Sequence, residues 1–286
     1  MVALVGIKKG PPGELQYRGY TQTISLILFF LLTLSFGLTL ALKLPDAPGI
    51  LVFKKSGAMM DASNSSEGYI MVRRESHKRQ KLRVTKDKES YDYDLNGHGD
   101  LEVFPLQMGD GKYNVAVFEN SSGSNFKSKF SKDISVELAS DEIPFCYPNQ
   151  LIDFGESTRC VALAQAICEG LATEMEKVIA VNAYVTANIA YDYNRASQIT
   201  GGEITSYIPD IDDVLDKKLG ICFDYSAVVA CMLRSQGIPT QLVMGYVGSQ
   251  YHAWNRVFVD GKWGRLDATF AVTQTKAIYS DPARIY

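Results

Sequence analysis

The length and the charge of this chain narrow the classes of protein to which it can belong. With 286 residues, of which 46% are hydrophobic, it can form one or two domains with a sizeable core. Its net charge of -3 at pH 7 is small, so the composition argues against nucleic acid or any other strongly charged partner.

Residues 23–42 form the first predicted element, a membrane-spanning helix that follows a tail at residues 1–22. The nineteen residues from Ile24 to Leu42 are almost wholly apolar and uncharged, close to the ~20 that cross a bilayer as a helix. A signal peptide is the alternative, because residues 39–41 offer a small-x-small cleavage site, but the apolar cores of signal peptides are shorter. We therefore expect a retained anchor.

The positive charges around this segment leave its orientation open. Three Lys or Arg residues precede the segment and three follow it closely, so the two counts are equal. A short tail before a single span usually leaves the large domain that follows it outside the cell. We expect a single-pass protein of the cell membrane with an extracellular catalytic domain.

The region behind the anchor contains no catalytic constellation. Residues 43–68 are predicted to form a linker, because the stretch from Ser56 to Glu67 is rich in serine and other small or polar residues. Residues 69–144 contain short alternating runs such as Tyr113 to Phe118, separated by turn dipeptides such as Asn96-Gly97. This pattern predicts a small β-sandwich that acts as a spacer domain.

A basic stretch lies inside the predicted sandwich. Residues 71–90 contain eight Lys or Arg residues and three acidic residues. Such a stretch could contact an anionic wall polymer or a lipid surface. We favour the simpler interpretation, a solvated strand face.

Residues 145–286 are predicted to form the catalytic domain, which begins with helices. Thr173 and Glu176 have the spacing of a capping box in front of an apolar periodic stretch. A second helix is predicted from Phe223 to Gln236, and Gly237 ends it. Cys222 therefore lies at a helix N-terminus, where unpaired amides and the helix dipole favour a thiolate.

A β-hairpin follows the cysteine helix. Strands are predicted from His252 to Val259 and from Lys262 to Thr269, joined by the Asp260-Gly261 turn. If Val259 pairs with Lys262, Trp254 faces Asp267, and both lie on the same side of the ribbon as His252. His252 and Asp267 are then diagonal neighbours with Cα atoms roughly 7–8 Å apart, close enough for a hydrogen bond between imidazole and carboxylate.

These motifs resemble the transglutaminase-like core, a branch of the papain-like fold, and in particular its bacterial membrane-anchored or secreted members. The resemblance extends from about Tyr191 to Phe270. The matching motifs are Gly220-x-Cys222-x-x-Tyr225, Leu233-Arg234-x-x-Gly237-Ile238-Pro239, Tyr251-His252-Ala253-Trp254-Asn255 and Leu266-Asp267-x-Thr269. Ala268 departs from the family pattern, which commonly has proline there.

The resemblance implies a nucleophile at Cys222, a base at His252 and an orienting partner at Asp267, in agreement with the chemistry of the residues themselves. It also implies an α+β fold, a papain-like core in which the nucleophile helix packs on an antiparallel sheet. In this chain a small β-sandwich-like domain and an N-terminal transmembrane helix would precede that core.

Two aromatic residues are further candidates for the site. Tyr225 lies three residues after Cys222 on the same helix face and could donate to an oxyanion. Trp254 shares the hairpin face of His252 and could line a substrate tunnel. For both residues, packing in the core is an equally good interpretation. The main-chain amide of Cys222 is the most natural oxyanion donor.

The cysteine pattern favours a thiol enzyme over a disulfide framework. The chain has five cysteines, an odd number, so an exported form would keep at least one free thiol. A single cysteine is more often inert core, but the ordered Cys, His and Asp set argues against that interpretation here. No Cys or His cluster indicates a metal, and the expected chemistry requires no cofactor.

The predicted reaction begins with attack of the Cys222 thiolate on a glutamine carboxamide or a peptide bond, which gives a thioester. An amine acceptor would then make the protein a cross-linking enzyme, and water would make it a cysteine peptidase or amidase. A non-catalytic scaffold that binds the cell envelope is a third possibility. The expected partners are protein or peptide substrates of the cell envelope, and the membrane itself.

Overall fold

The computed structural model of the protein describes residues 42–273 and 278–286. The predicted tail at residues 1–22 and nearly all of the predicted anchor at residues 23–42 lie outside the described residues. Within the described part of the chain, no helix is long and apolar enough to cross a membrane.

Eight strands form the first part of the described chain. They are β1 (Val52–Lys55), β2 (Ala58–Asp61), β3 (Tyr69–Arg73), β4 (Gln80–Lys86), β5 (Glu89–Leu95), β6 (Glu102–Pro105), β7 (Gly111–Ser122) and β8 (Asn125–Val136). One antiparallel sheet has the strand order β1-β2-β3-β6, and a second has the order β5-β4-β7-β8. Apolar residues of both sheets, such as Phe104 and Leu82, share one core. The two sheets form a β-sandwich that begins at Val52, whereas the sequence places its start at residue 69.

The prediction of a linker at residues 43–68 is wrong. This interval contains β1 and β2, which belong to the first sheet, and a short 3₁₀ helix at Ser65–Glu67. Its polar residues serve the fold, because the hydroxyl of Ser63 accepts hydrogen bonds from the amides of Ile50 and Leu51, and the carboxylate of Asp61 accepts one from Gly49. The composition resembled that of a linker because these side chains satisfy backbone groups at a sheet edge.

Carboxylates of the sandwich neutralise much of the basic stretch at residues 71–90. Arg83 and Asp92 form a two-pronged ion pair across β4 and β5, with atoms 2.6 and 2.7 Å apart. The Arg74 guanidinium lies 2.6 Å from the Glu119 carboxylate, and this contact holds the pKa of Glu119 at about 2. Half of the eight basic residues of the stretch therefore form ion pairs with carboxylates.

The second part of the chain begins with helices. They are α1 (Arg159–Cys168), α2 (Glu174–Asn188), α3 (Tyr193–Thr200), α4 (Ile211–Lys217), α5 (Cys222–Ser235) and α6 (Ala268–Thr273). The capping box of Thr173 and Glu176 begins α2, as predicted. At the end of α5, Gly237 has a φ of 73°, and its amide donates to Arg234 while that of Ile238 donates to Leu233. These bonds form a Schellman motif, the glycine exit that the sequence predicts.

An antiparallel sheet supports α5. Its strands are β11 (Thr240–Val247), β12 (Gln250–Val259), β13 (Lys262–Leu266) and β14 (Arg284–Ile285), and a separate short parallel pair consists of β9 (Ala190–Tyr191) and β10 (Leu219–Gly220). The order in the sheet is β13-β12-β11-β14. Apolar residues of α5 pack against Leu242, Val257 and Val259 of this sheet. The helix is buried on nearly all sides, as the papain-like prediction requires.

The hairpin has the predicted register but a shorter return strand. Val259 pairs with Lys262, and the pairing continues to Asn255 with Leu266. The return strand was predicted to reach Thr269, but β13 ends at Leu266 and α6 begins at Ala268. The reason is Asp267, whose side chain caps the helix and so ends the strand.

Arg234 connects α5 to three neighbouring segments. Its guanidinium is buried and donates to the main-chain oxygens of Tyr147, Thr240 and Tyr286, at 2.6, 2.8 and 2.9 Å. Burial lowers the pKa of this guanidinium to about 10, and the charges of Cys146 and Cys231 act in the opposite direction. The ring of Tyr286 packs against Tyr91 in the sandwich core, so β14 also joins the two parts of the chain.

Candidate active site

Cys222 is the first residue of α5 and lies at a tight entry turn. A Cβ atom on Gly220 would be only 2.7 Å from the Cβ of Asp224, so the turn requires glycine there. The side chain of Asp224 closes the turn by accepting a hydrogen bond from the amide of Ile221 at 2.8 Å. Cys222 is partly exposed, whereas the other four cysteines are buried: Cys146, Cys160, Cys168 and Cys231.

His252 projects from β12 and contacts Asp267. The imidazole Nε2 lies 2.8 Å from the Asp267 Oδ2, so Nδ1 is the ring nitrogen that can face the thiol of Cys222. Burial is the largest influence on the pKa of His252 and lowers it, but hydrogen bonds and charges from Asp267 and Cys222 raise it to about 9. The structure thus brings together the three predicted residues Cys222, His252 and Asp267.

Asp267 is held by more donors than His252 alone. Its Oδ1 accepts hydrogen bonds from the amides of Thr269 at 3.0 Å and Phe270 at 3.3 Å, which makes it the N-cap of α6. The hydroxyl of Tyr279 donates to Oδ2 at 2.6 Å, the same oxygen that contacts His252. Oδ1 therefore caps α6, and Oδ2 accepts from the imidazole and from the hydroxyl of Tyr279.

Tyr279 is a site residue that sequence reasoning missed. It lies twelve residues after Asp267, outside every motif and every predicted element. The guanidinium of Arg265 lies 3.9 Å from the centre of its ring. Burial raises the pKa of the Tyr279 hydroxyl, and the Asp267 carboxylate raises it further, so this hydroxyl is a proton donor throughout the physiological range.

Aromatic rings surround the imidazole. Trp254 lies nearly parallel to His252 with ring centres 6.2 Å apart, Phe270 lies 4.9 Å from His252, and Tyr279 meets Trp254 edge-on at 5.0 Å. A Cβ on Gly245 would come within 2.7 Å of the indole, so only glycine leaves room for this tryptophan. Trp254 therefore shares the face of His252, as predicted. It is only 3% exposed, so it supports the imidazole from behind and has little surface with which to line a tunnel.

The structure corrects the prediction for Tyr225. The side chain is 0% exposed and packs in the helical core. Its hydroxyl donates to the main-chain oxygen of Ile189, so it cannot also serve an oxyanion at Cys222. The spacing of three residues places Tyr225 on the same side of α5 as Cys222, but the core residues around it bury that side of the helix.

A buried polar cluster supports the turn at Cys222. The hydroxyl of Tyr207 donates to the Asp224 Oδ1 at 2.6 Å, and the guanidinium of Arg195 donates to the oxygen of Tyr207 at 2.6 Å. Burial raises the pKa of Asp224, whereas the hydrogen bonds from Tyr207 and Ile221 and the charge of Arg195 lower it. A sequence signal existed for Asp224, since an acidic residue at the third helical position commonly accepts the N-cap amide.

Tyrosines also lie around the mouth of the site. Burial raises the pKa of Tyr191 to about 12, and the charge of Cys222 contributes to that rise. Burial likewise raises the pKa of Tyr251, again with a contribution from Cys222. Both phenols are therefore within electrostatic reach of the thiol. Among the described residues, no group of three or more acidic, His or Cys side chains could hold a metal ion.

Comparisons with solved structures give distant similarities. A candidate cysteine protease from Cytophaga hutchinsonii shares 18% identity over 71% of each chain, with a TM-score of 0.40. A TGase shares 24% identity over 43% of this chain and 33% of its own, with a TM-score of 0.34. The red sea bream transglutaminase shares 13% identity over 77% of this chain and 49% of its own, with a TM-score of 0.28. The chain thus spans half or less of the length of these two transglutaminases.

The family comparison is more specific. No curated protein matches the chain. The sequence model of the transglutaminase-like superfamily matches residues 161–268, an interval that contains Cys222, His252 and Asp267. This segment therefore carries the sequence pattern of the transglutaminase-like superfamily, and that family description supports a thiol enzyme.

Proposed function

We propose that the protein is a thiol acyl-transfer enzyme that uses Cys222, His252 and Asp267 as a catalytic triad. The observation that carries the proposal is the position of His252, bonded to Asp267 on one side and within reach of Cys222 on the other. Because the pKa of His252 is raised to about 9, the imidazolium form is favoured at neutral pH and can supply a proton to the leaving group.

The first half-reaction forms a thioester. The Cys222 sulfur forms a bond to the carbonyl carbon of a glutamine carboxamide or a peptide bond, and the C–N bond breaks. His252 gives its Nδ1 proton to the departing amine. The main-chain amide of Cys222 is the natural donor to the oxyanion, since the side chain of Tyr225 is buried and engaged elsewhere. Asp267 keeps the ring in the orientation that both transfers require.

The second half-reaction distinguishes two candidate functions. A primary amine that loses its proton to His252 attacks the thioester carbon, the C–S bond breaks, and Cys222 is released together with a cross-linked product. Water in the same role gives hydrolysis. The aromatic packing of Trp254 and Phe270 around His252 excludes water from one side of the base, which favours an amine acceptor. The peptidase or amidase is the second candidate. A non-catalytic scaffold is the least supported, because all three triad side chains are present and the His252 and Asp267 side chains are in contact.

The decisive experiment follows the fate of the acyl group. The protein is incubated with a glutamine-containing protein and a fluorescent primary amine, and incorporated amine and released ammonia are both measured. Wild type and Cys168→Ala, a buried cysteine outside the site, should incorporate the amine, and Cys222→Ala should not. Release of ammonia or of cleaved peptide without incorporation of the amine would show that the protein catalyses hydrolysis and not cross-linking. Activity that survives in Cys222→Ala would refute the thiol mechanism.

We further propose that residues 23–42 anchor the protein in the cell membrane, with the catalytic domain outside and envelope proteins or peptides as substrates. The apolar composition of this segment supports the proposal. Membranes washed with carbonate should retain the full-length protein, and protease added to intact cells should remove the catalytic domain. A soluble form that begins near Leu42 would show instead that a signal peptide had been cleaved.

A further inference from the structure

A cleft adjoins the candidate active site on the side of the sandwich. Its volume is about 710 Å³, and it lies between the turn that joins β4 to β5 and the ends of β12 and β14. Its lining includes Lys86, Lys88, Glu89, Tyr251 and Arg284. Tyr251 directly precedes the proposed base in β12, and Arg284 pairs with Met244, which in turn pairs with Ala253 next to His252. The cleft therefore borders the strands that carry the site.

The charges in the cleft favour an anionic ligand. Arg284 is held in place, because its guanidinium donates to the main-chain oxygen of Ser90 at 3.1 Å and lies 5.1 Å from the centre of the Tyr91 ring. In the described part of the chain, neither Arg284 nor Lys88 forms an ion pair with a carboxylate. The nearby Asp92 is already paired with Arg83. These cations thus remain available to a ligand.

The acidic residues of the cleft do not cancel these cations. Asp87 is largely exposed and lies 3.5 Å from Lys86, which it partly neutralises. Burial is the main reason why the pKa of Tyr91 is raised, and the carboxylate of Glu89 raises it further. The Glu89 carboxylate therefore faces the hydroxyl of Tyr91. Three basic and two acidic side chains line the cleft. Of the three basic side chains, those of Lys88 and Arg284 form no ion pair with a carboxylate in the described part of the chain, although the charge of Arg284 helps to lower the pKa of Asp92.

Exposed tyrosines flank the active site and continue toward the cleft. Tyr251 is 54% exposed and lies 5.3 Å from the ring of Tyr246 across the strand pair. On the Tyr191 side of the mouth, Tyr193 is 72% exposed and packs at 4.9 Å against Tyr191, which itself senses Cys222. Exposed aromatic side chains of this kind cover apolar area of an extended chain and offer hydroxyls to its backbone.

We propose that the substrate is a polypeptide segment with an acidic side chain near the reactive residue. The segment lies across the exposed tyrosines with its reactive carbonyl at Cys222, and its Asp or Glu side chain enters the cleft between Lys88 and Arg284. The proposal deepens the proposed function and rests on it for the identity of the reacting group. The ion pairs it requires are between a carboxylate and two cations of the cleft, of which Arg284 is already held in place.

The first test measures binding without turnover. Labelled glutamine peptides flanked by glutamate, by lysine or by neutral residues are titrated into Cys222→Ala, and their fluorescence anisotropy is recorded at low salt. The acidic peptide should bind most tightly. Lys88→Glu should weaken it about fivefold, the size expected for one partly exposed ion pair, and should strengthen the lysine peptide. Lys262→Glu, an exposed lysine in β13 outside the cleft, is the matched control and should change neither.

The second test separates this proposal from the reaction itself. In the wild-type background, Lys88→Glu should raise KM for the acidic peptide more than it lowers kcat. Equal binding of all three peptides, or equal effects of Lys88→Glu and Lys262→Glu, would overturn the proposal. Binding of anionic lipid vesicles but not of the acidic peptide would also overturn it and assign the cleft to a membrane. Selective binding of the acidic peptide with no turnover would leave the cleft assignment standing and refute the proposed reaction.

Discussion

Replacing Asp267 with asparagine tests the electrostatic role of the carboxylate with almost no change in shape. Its Oδ1 accepts the amides of Thr269 and Phe270, so the asparagine oxygen must occupy that position to keep α6 capped. The amide NH₂ group then replaces Oδ2 and faces two donors, the Tyr279 hydroxyl and the Nε2–H of His252. The imidazole can avoid this conflict only by moving its proton to Nδ1, on the side of Cys222.

The magnitude follows from the pKa of His252. A rise from 6.5 to about 9 corresponds to about 3 kcal/mol of preference for the imidazolium. Burial lowers this pKa, and the hydrogen bond that the imidazole donates to Asp267 is the largest influence that raises it. Without the carboxylate we expect the pKa of His252 to fall by about 1–3 units. Because the tautomer is also wrong for proton abstraction, kcat should fall by about 10³-fold.

Stability should change with pH in a defined direction. A group whose folded pKa is raised stabilises the fold fully below its unfolded pKa and loses that contribution as pH rises through the folded pKa. Asp267→Asn should therefore lower the free energy of unfolding by up to about 3 kcal/mol at pH 6. The difference from wild type should shrink between about pH 6.5 and pH 9.

The assays are the pH profile of kcat/KM for amine incorporation and urea unfolding at several pH values. The alkaline limb should lie near pH 9 in wild type and lower in Asp267→Asn. Asp260→Asn is the matched control, because Asp260 lies at the hairpin turn with a φ of 52°, which asparagine tolerates, and it should behave as wild type. An alkaline limb that stays within half a pH unit in Asp267→Asn, with kcat retained, would refute this account of the triad.

Two further predictions concern residues that hold the site together. Tyr279→Phe removes a hydrogen bond to a charged acceptor, so kcat should fall about tenfold. The Asp267 carboxylate then accepts a hydrogen bond from His252 without competition from Tyr279, so the alkaline limb of the kcat/KM profile should move to higher pH. A shift of this limb to lower pH would contradict the positioning role of Tyr279. Arg234→Met removes a hydrogen bond from each of three main-chain oxygens, of which that of Tyr286 keeps another from the amide of Leu242. The free energy of unfolding should therefore fall by about 2–5 kcal/mol in chemical denaturation. A loss below about 1 kcal/mol would show that water replaces the guanidinium.

Patterns local in the chain predicted several features of the site. The capping box at Thr173, the glycine exit at Gly237 and the hairpin register at Val259 each depend on a few consecutive residues, because they follow from backbone geometry within one turn or one strand pair. The register in turn placed His252 and Trp254 on one face. These short-range rules predicted the contact between His252 and Asp267, although Asp267 makes it from the N-cap of α6 and not from the return strand.

Features that depend on burial or on distant contacts could not be predicted from the sequence. Tyr225 has the spacing of a site residue, but packing around α5 buries it and engages its hydroxyl. The interval at residues 43–68 has a linker composition, yet its polar side chains satisfy the backbone of a sheet edge. Composition and spacing describe one chain segment at a time and cannot reveal which other segment will cover it.

The sequence by itself determined the order of the triad residues, the helix that starts at Cys222 and the hairpin that carries His252. Only the tertiary structure decided which donors each oxygen of Asp267 binds, and that Tyr279 and His252 share one of these oxygens. It also decided that a cleft forms between the sandwich and the strand that carries His252. The physical reason is that hydrogen-bond geometry and electrostatic potential depend on distances between atoms of different elements, and these distances exist only after the elements have packed.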